Sequence, residues 1–269
     1  MNHNGRMTSI HKTIACGALV CVMSGSLQAA NGVLIVEKTI QGGTATTNQI
    51  QIEANRMRAE STGPGGVKQV VIFDGARQVL TIIDAGNKSY TEMTKEDAEK
   101  LGAQMSDAMA QIKKQMAGMP PEQRAQIEGM MKGRMGGAGG AAVKPQYRKA
   151  GTESVGKWTC TKYEAFEGET KTSEVCTVEP KALGLTEVDF AFTKQFVEFF
   201  KRAVPQMATQ AFAIGTVEQH GFSGVPIRRK VTVLGREVTT EITDVTRQTF
   251  PDTSYAVPAG YQKKAFGAR

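Results

Sequence analysis

Residues 157–178 read KWTCTKYEAFEGETKTSEVCTV. Lys157 to Phe166 and Thr170 to Val178 are rich in β-branched and aromatic residues and flank Gly168, the pattern of two antiparallel strands joined by a tight turn. Residue 168 is also the midpoint between Cys160 and Cys176. A hairpin turning there sets the two cysteines directly opposite each other and pairs Lys162 with Glu174, a favourable cross-strand neighbour. In a non-hydrogen-bonded pair the Cα separation is about 4.5 Å, within reach of a disulfide. A two-residue turn at Glu167-Gly168 moves the register by one residue and then requires a bulge. The alternative is two reduced, buried cysteines. A redox or metal role lacks the usual Cys-x-x-Cys spacing.

Working outward, the same grammar recurs on both sides. Towards the C-terminus, Ile227 to Leu234 and Val238 to Val245 read as strands about a Gly235 turn. Tyr255 to Val257 reads as a further strand before Pro258-Ala259-Gly260-Tyr261. Towards the N-terminus, Val33 to Val36 is an apolar run, and Ile50, Ile52 and Ala54 alternate with Gln51 and Glu53. Val70 to Phe73 and Val79 to Ile83 are β-rich runs separated by Asp74-Gly75. Ser61 to Gly66 reads as a loop. Its Gly63-Pro64-Gly65-Gly66-Val67-Lys68 lacks the glycine spacing, the hydroxyl after lysine and the following helix of a phosphate loop. The 269 residues, 40% apolar and 22% charged, describe one large globular domain. The predicted fold class is α+β, with a curved antiparallel sheet whose concave face is covered by a helical insert.

Between the strand blocks lies a helical insert, residues 94–135. Thr94-Lys95-Glu96-Asp97 has the form of a capping box. Beyond it, Leu101, Met105, Met109, Ile112, Met116 and Met119 recur at steps of three and four, one apolar stripe on a helix. Pro120 and Pro121 stop that helix. A weaker second helix follows, with Ile127, Met131 and Met135 spaced by four but weakened by Gly129 and Gly133. Residues 136–144 form a Gly-rich, flexible link. Thr186-Glu187-Val188-Asp189 is a second capping box, and Phe192, Phe196, Phe199 and Phe200 after it mark a helix whose aromatic face belongs in a core.

The N-terminus reads as a secretory signal peptide: Arg6 and Lys12 precede an apolar run from Thr13 to Val22, and small residues lead to a cleavage site near Ala30. The run is too short for an ordinary membrane span. Removing residues 1–30 takes away Arg6 and Lys12 and no acid, so the formal charge of +7 becomes +5. That excess favours transient contact with anionic membrane surfaces, while no basic run with interleaved aromatics points to nucleic acid. Cys16 and Cys21 leave with the signal, and Cys160 and Cys176 remain in an oxidising compartment.

Catalytic chemistry has little to stand on. After cleavage His220 is the last histidine, and a Ser/His or Cys/His nucleophile would have to be built on it. Gly221-Phe222-Ser223-Gly224 lacks nucleophile-elbow spacing. The expectation is a non-enzyme without cofactor. Seven of the thirteen methionines fall between Met105 and Met135. Thioethers suit Cu(I), which raises a copper reading, but the helical spacing fits apolar packing without a metal. Unbranched methionines also make an adaptable surface that accepts varied hydrophobic partners.

The layout as a whole resembles a known family. Ser89-Tyr90-Thr91-Glu92-Met93, Met119-Pro120-Pro121-Glu122-Gln123-Arg124, Cys160-Thr161-Lys162-Tyr163-Glu164 and Val257-Pro258-Ala259-Gly260-Tyr261 are similar to an uncharacterised family of secreted bacterial proteins, domain of unknown function 4412. That family is similar to the periplasmic lipoprotein carriers of the Lol system, which implies an incomplete β-barrel with helices in its mouth. Lol carriers begin with a helix, whereas this chain enters a strand at Gly32 to Gln41, and no pattern carries over their substrate contacts. Two functions follow. One is a periplasmic binding protein holding a lipid, acyl chain or lipoprotein under a lid whose stripe is Leu101, Met105, Met109, Ile112, Met116, Met119 and Met131. The other is an envelope structural or interaction module whose barrel is filled by its own side chains.

Overall fold

The computed structural model describes Met1 and residues 32–63, 66–120, 122–124, 145–203, 221–233 and 235–267. The signal peptide, the Ile127, Met131 and Met135 helix, the link at 136–144, His220 and Leu234 lie outside them. Along the chain run β1 (Gly32–Gln41), β2 (Thr44–Ile52), β3 (Arg56–Thr62), β4 (Lys68–Asp74), β5 (Val79–Asp84), β6 (Ser89–Met93) and helix α1 (Lys95–Ala117). There follow β7 (Gln146–Val155), β8 (Trp158–Glu167), β9 (Thr170–Val178), α2 (Ala191–Ala203), β10 (Val225–Val233), β11 (Arg236–Gln248) and β12 (Gln262–Lys264). All twelve strands join one curved, open sheet in the order β12-β6-β5-β4-β3-β2-β1-β11-β10-β9-β8-β7. Every pairing is antiparallel except β12 on β6. The two strand blocks meet where β1 pairs with β11, from Gly32↔Gln248 to Gln41↔Val238. Irregularities at Val36/Glu37, Pro226/Arg228, Lys149/Gly151 and Ala165/Phe166 interrupt the ladders on that side. Each such bulge bends its strand and increases the local twist.

Alternation along β2 to β5 gives the sheet two distinct faces. Ile50, Ile52, Met57, Ala59, Val71, Phe73 and Leu80 point to one side and form a core with the helices: Ala98 and Leu101 from α1, and Phe192, Phe196, Phe199, Phe200 and Ala203 from α2. Phe73 is fully buried. Its ring lies 5.7, 5.2 and 5.2 Å from those of Phe192, Phe196 and Phe199. The Phe stripe is therefore core, and α2, rather than the methionine stripe of the insert expected there, is the helix seated on this face. The opposite face carries Val70, Ile72 and Ile83, covered by Tyr255, Val257 and Tyr261. A third cluster, around Val33, Cys160, Cys176, Val178, Ile227 and Ile242, fills the far half.

Both expected helix starts carry their caps. Asp97 N donates to Thr94 Oγ1 at 3.2 Å and Thr94 N to Asp97 Oδ2 at 3.0 Å. At the second site Thr186 N donates to Asp189 Oδ2 at 2.7 Å, but a 3₁₀ turn, Glu187–Phe190, intervenes before α2 begins. The stretch at 255–257 is not a strand. Asp252–Tyr255 is a 3₁₀ turn, and Pro251 and Pro258 offer no N–H for a ladder, so this segment is held by side chains. Conversely β3, absent from the strands read in the sequence, alternates polar and apolar residues, with Met57 and Ala59 inward and Arg58 and Glu60 outward.

Candidate functional site

Cys160 and Cys176 form a disulfide with Cα atoms 5.5 Å apart, both almost fully buried. The expected register needs correction by two residues: Lys162 stands opposite Cys176, and Glu164 opposite Glu174. The turn falls at Gly168-Glu169, with Gly168 at φ 62, and Thr172 is the extra residue that shifts the ladder. The cysteines thus meet on a diagonal. The new register also places two carboxylates face to face. Lys171 lies 2.7 Å from Glu164 and 2.5 Å from Glu174, and Lys162 3.6 and 3.2 Å from the same pair. Hydrogen bonds from Lys171 hold both carboxyls below the ordinary glutamate range.

The α1 stripe is legible in the burial pattern. Leu101, Met105, Met109, Ile112, Met116 and Met119 are half-buried, while the residues between them from 103 onward are exposed. Only Leu101 packs on the core around Phe73. The contact with α2 is made earlier, at Ala98 and Gly102, where a Cβ on Gly102 would come within 2.0 Å of Arg202 O. Helix α1 has 23 residues and α2 has 13, lengths of about 35 and 20 Å. Crossing near the C-terminal end of α2, α1 carries most of its stripe past the Phe73 core. The end of α1 is closed by Arg124, whose guanidinium donates to the carbonyls of Met116, Ala117 and Met119 at 3.1 to 3.3 Å. A cation capping the last carbonyls also complements the helix dipole.

Polar groups cross the junction of the two strand blocks. Thr39 and Thr240 hydroxyls are 3.3 Å apart, and Asn48 Nδ2 donates to Thr39 at 3.4 Å. Burial raises the Glu37 carboxyl above its ordinary value against the opposing pull of Arg229. Burial likewise draws the Arg229 guanidinium down. Among the described residues no group of three or more His, Cys, Asp or Glu is placed to hold a metal ion, and no helix is long and apolar enough to cross a membrane.

A site absent from the sequence reading lies on the other face. The segment from Asp252 to Lys264 crosses the outside of β2 to β6 as a strap. Arg56 binds Asp252 at 2.8 Å and stacks over Tyr255 at 4.1 Å. Arg58 donates to Ser254 O at 3.1 Å, and Lys263 pairs with Glu92. Under the strap is a cleft of about 490 Å³ lined by Gln51, Arg58, Glu60 and residues 253, 254 and 256–259. The signal that points to it is the alternation in Arg56-Met57-Arg58-Ala59-Glu60, charged outward and apolar inward.

No curated protein matches the chain. An uncharacterized conserved protein from Thermus thermophilus is similar at 7% identity over 88% of this chain and 91% of that one, with a TM-score of 0.42. A DUF1329 family protein from Desulfovibrio piger is similar at 12% identity over 85% of this chain and 90% of that one, with a TM-score of 0.19. The family described as Domain of unknown function (DUF4412) matches residues 142–261. That match takes in the motifs at Cys160–Glu164 and Val257–Tyr261 but not those at Ser89–Met93 and Met119–Arg124. The stretch from β7 through the strap up to Tyr261 is thus a match to the uncharacterised family that the sequence motifs resemble.

Proposed function

We propose that the protein is a non-catalytic periplasmic binding protein in which the methionine stripe of α1 covers an apolar ligand, an acyl chain, lipid or lipoprotein tail, in an incomplete barrel of the Lol-carrier kind. One observation carries this reading: Met105, Met109, Ile112, Met116 and Met119 are shielded along their whole run, yet none belongs to the core around Phe73. A stripe of that length needs an apolar partner in water, since propensity alone does not hold a helix. Methionine suits a partner of variable shape. The narrow contact at Gly102 gives α1 a fulcrum about which the stripe lifts. Removal of residues 1–30 on export delivers the chain to a compartment where the Cys160–Cys176 bridge persists, and the residual positive charge favours transient contact with a membrane surface.

Native mass spectrometry of protein purified from its own periplasm tests the reading, with a co-purifying lipid as the expected result and a bare mass as the contrary one. The variant carrying Met105→Asp and Met109→Asp separates lid from ligand. It should remain folded and bind an apolar dye or fatty acid more weakly than the parent. Unchanged binding removes the lid role, and increased binding makes the stripe a plug. The second reading, an envelope interaction module with a filled barrel, is favoured by Phe192, Phe196 and Phe199, which already occupy the sheet face beneath the helices.

A further inference from the structure

We propose that the cleft beneath the C-terminal strap is a second binding site, on the face opposite the helices, for a neutral ligand rich in hydrogen-bond donors, of the size of one or two sugar rings. Gln51 lies between Ile50 and Ile52, and Arg58 between Met57 and Ala59; those neighbours pack towards the helices, so Gln51 and Arg58 face outward. In the ladder they stand opposite each other. Gln51 lines the cleft, but its Oε1 is enclosed without a hydrogen-bond partner, as is the hydroxyl of Tyr255 on the strap. Buried polar atoms are almost always paired, and one left unmade raises the energy of the closed strap. A shift of the Gln51 side chain that brings Oε1 to the cleft wall lets a donor entering the cleft pair it.

The remaining groups define that donor. Glu60 accepts from Arg58 at 2.9 Å and from Lys68 at 2.8 Å, and these contacts keep it ionised. The side chains of Arg58 and Glu60 are only 19% and 28% exposed. Within the lining the charges of Arg58 and Glu60 offset each other, and Lys68, the second partner of Glu60, lies outside the lining with its side chain 62% exposed. Arg58 directs its donors at Ser254 O and Glu60, which leaves Gln51 Oε1, the Glu60 carboxylate and the hydroxyl oxygens of Thr253 and Ser254 as the side-chain acceptors of the lining. Val257 and Pro258 supply an apolar wall for the C–H face of a ring. A volume of about 490 Å³ falls within the range of small-molecule sites.

Titration of the isotope-labelled full chain with N,N′-diacetylchitobiose, which carries hydroxyl and amide donors, tests the site by NMR. The expected result is a shift of the Gln51 side-chain amide and of residues 253–259, with Gln51→Leu weakening binding by about tenfold or more. A phosphorylated sugar and a polyamine should leave those signals in place. Thr253→Val, which keeps the shape and removes a hydroxyl, should weaken binding less. The proposal is overturned if the signals do not move, if they move only elsewhere, if Gln51→Leu binds as the parent does, or if either charged probe binds the cleft better. The wild-type shifts decide the matter even if Gln51→Leu fails to fold.

Discussion

Gly102 is the residue on which the placement of α1 turns. Replacing a mid-helix glycine with alanine ordinarily stabilises by about 1 kcal/mol. Here the added Cβ would meet Arg202 O at 2.0 Å, and a backbone atom cannot step aside without moving a helix. Gly102→Ala should therefore destabilise, by about 1–3 kcal/mol as in other overpacked contacts, measured by urea denaturation. A gain in stability would detach α1 from α2. The cysteines make a parallel case. Peptide mapping of the secreted form should recover Cys160 linked to Cys176, and replacing both with alanine should cost about 3 kcal/mol. Their pairing could be read from the sequence because both residues sit on facing strands at matching parity. The register could not, because the extra residue at Thr172 has no compositional signature. The consequence was a misplaced partner for Lys162, although its contact with Glu174 survives at 3.2 Å.

At the scale of elements, strong periodicity was legible and weak periodicity was not. The α1 stripe and the Phe stripe of α2 announced themselves by spacing, and the Thr94 cap fixed the start of α1 to the residue. Which helix would sit on the sheet was a question of packing between distant segments, and no local pattern answers it. Strand β3 and the strap were missed for related reasons: one spends half its side chains on charges that meet the other. Up to Tyr261 the strap in turn replaces a ladder with contacts from Tyr255, Val257 and Tyr261, and its end, β12, pairs with β6. Since Phe73 centres three ring contacts, Phe73→Ala should cost about 3–5 kcal/mol, visible as a lowered denaturation midpoint. Asp189 links the turn before α2 to β11, with Arg247 donating to its two oxygens at 3.2 and 2.5 Å. Burial pushes the Asp189 carboxyl up, but Arg247 and Thr186 outweigh it and hold it below its ordinary 3.8. A carboxyl depressed in the folded state stabilises above its unfolded value, and that contribution is lost as pH falls through the folded one. Stability of the parent should thus drop as pH falls below 3.8, and Asp189→Asn, weaker at neutral pH, should show a shallower drop in denaturation midpoint over the same range.

For the whole molecule the decisive feature is how the two halves of the chain are interleaved. The N-terminal half supplies β1 to β6, yet β1 is completed by β11 and β6 by β12. The outward apolar residues Val70, Ile72 and Ile83 are covered by Tyr255, Val257 and Tyr261, and the inward ones by α2. Residues 142–261, the stretch matched by the family, contain β7 to β11 but not β1, which pairs with the edge of β11 that β10 leaves free. Expressed alone, that stretch leaves the whole β11 edge open and the Phe face of α2 uncovered, and exposed edges and apolar faces lead to association. It should therefore aggregate or give a non-cooperative thermal transition. Co-expression of residues 31–124 with 142–269 should restore a soluble, two-fragment protein with a single cooperative melt, because the β1–β11 ladder, the α2 core and the strap all cross the cut. A family stretch that folded cooperatively by itself would mean that the sheet is two domains joined at β1 and β11, and the twelve-stranded curvature would then lose its cause.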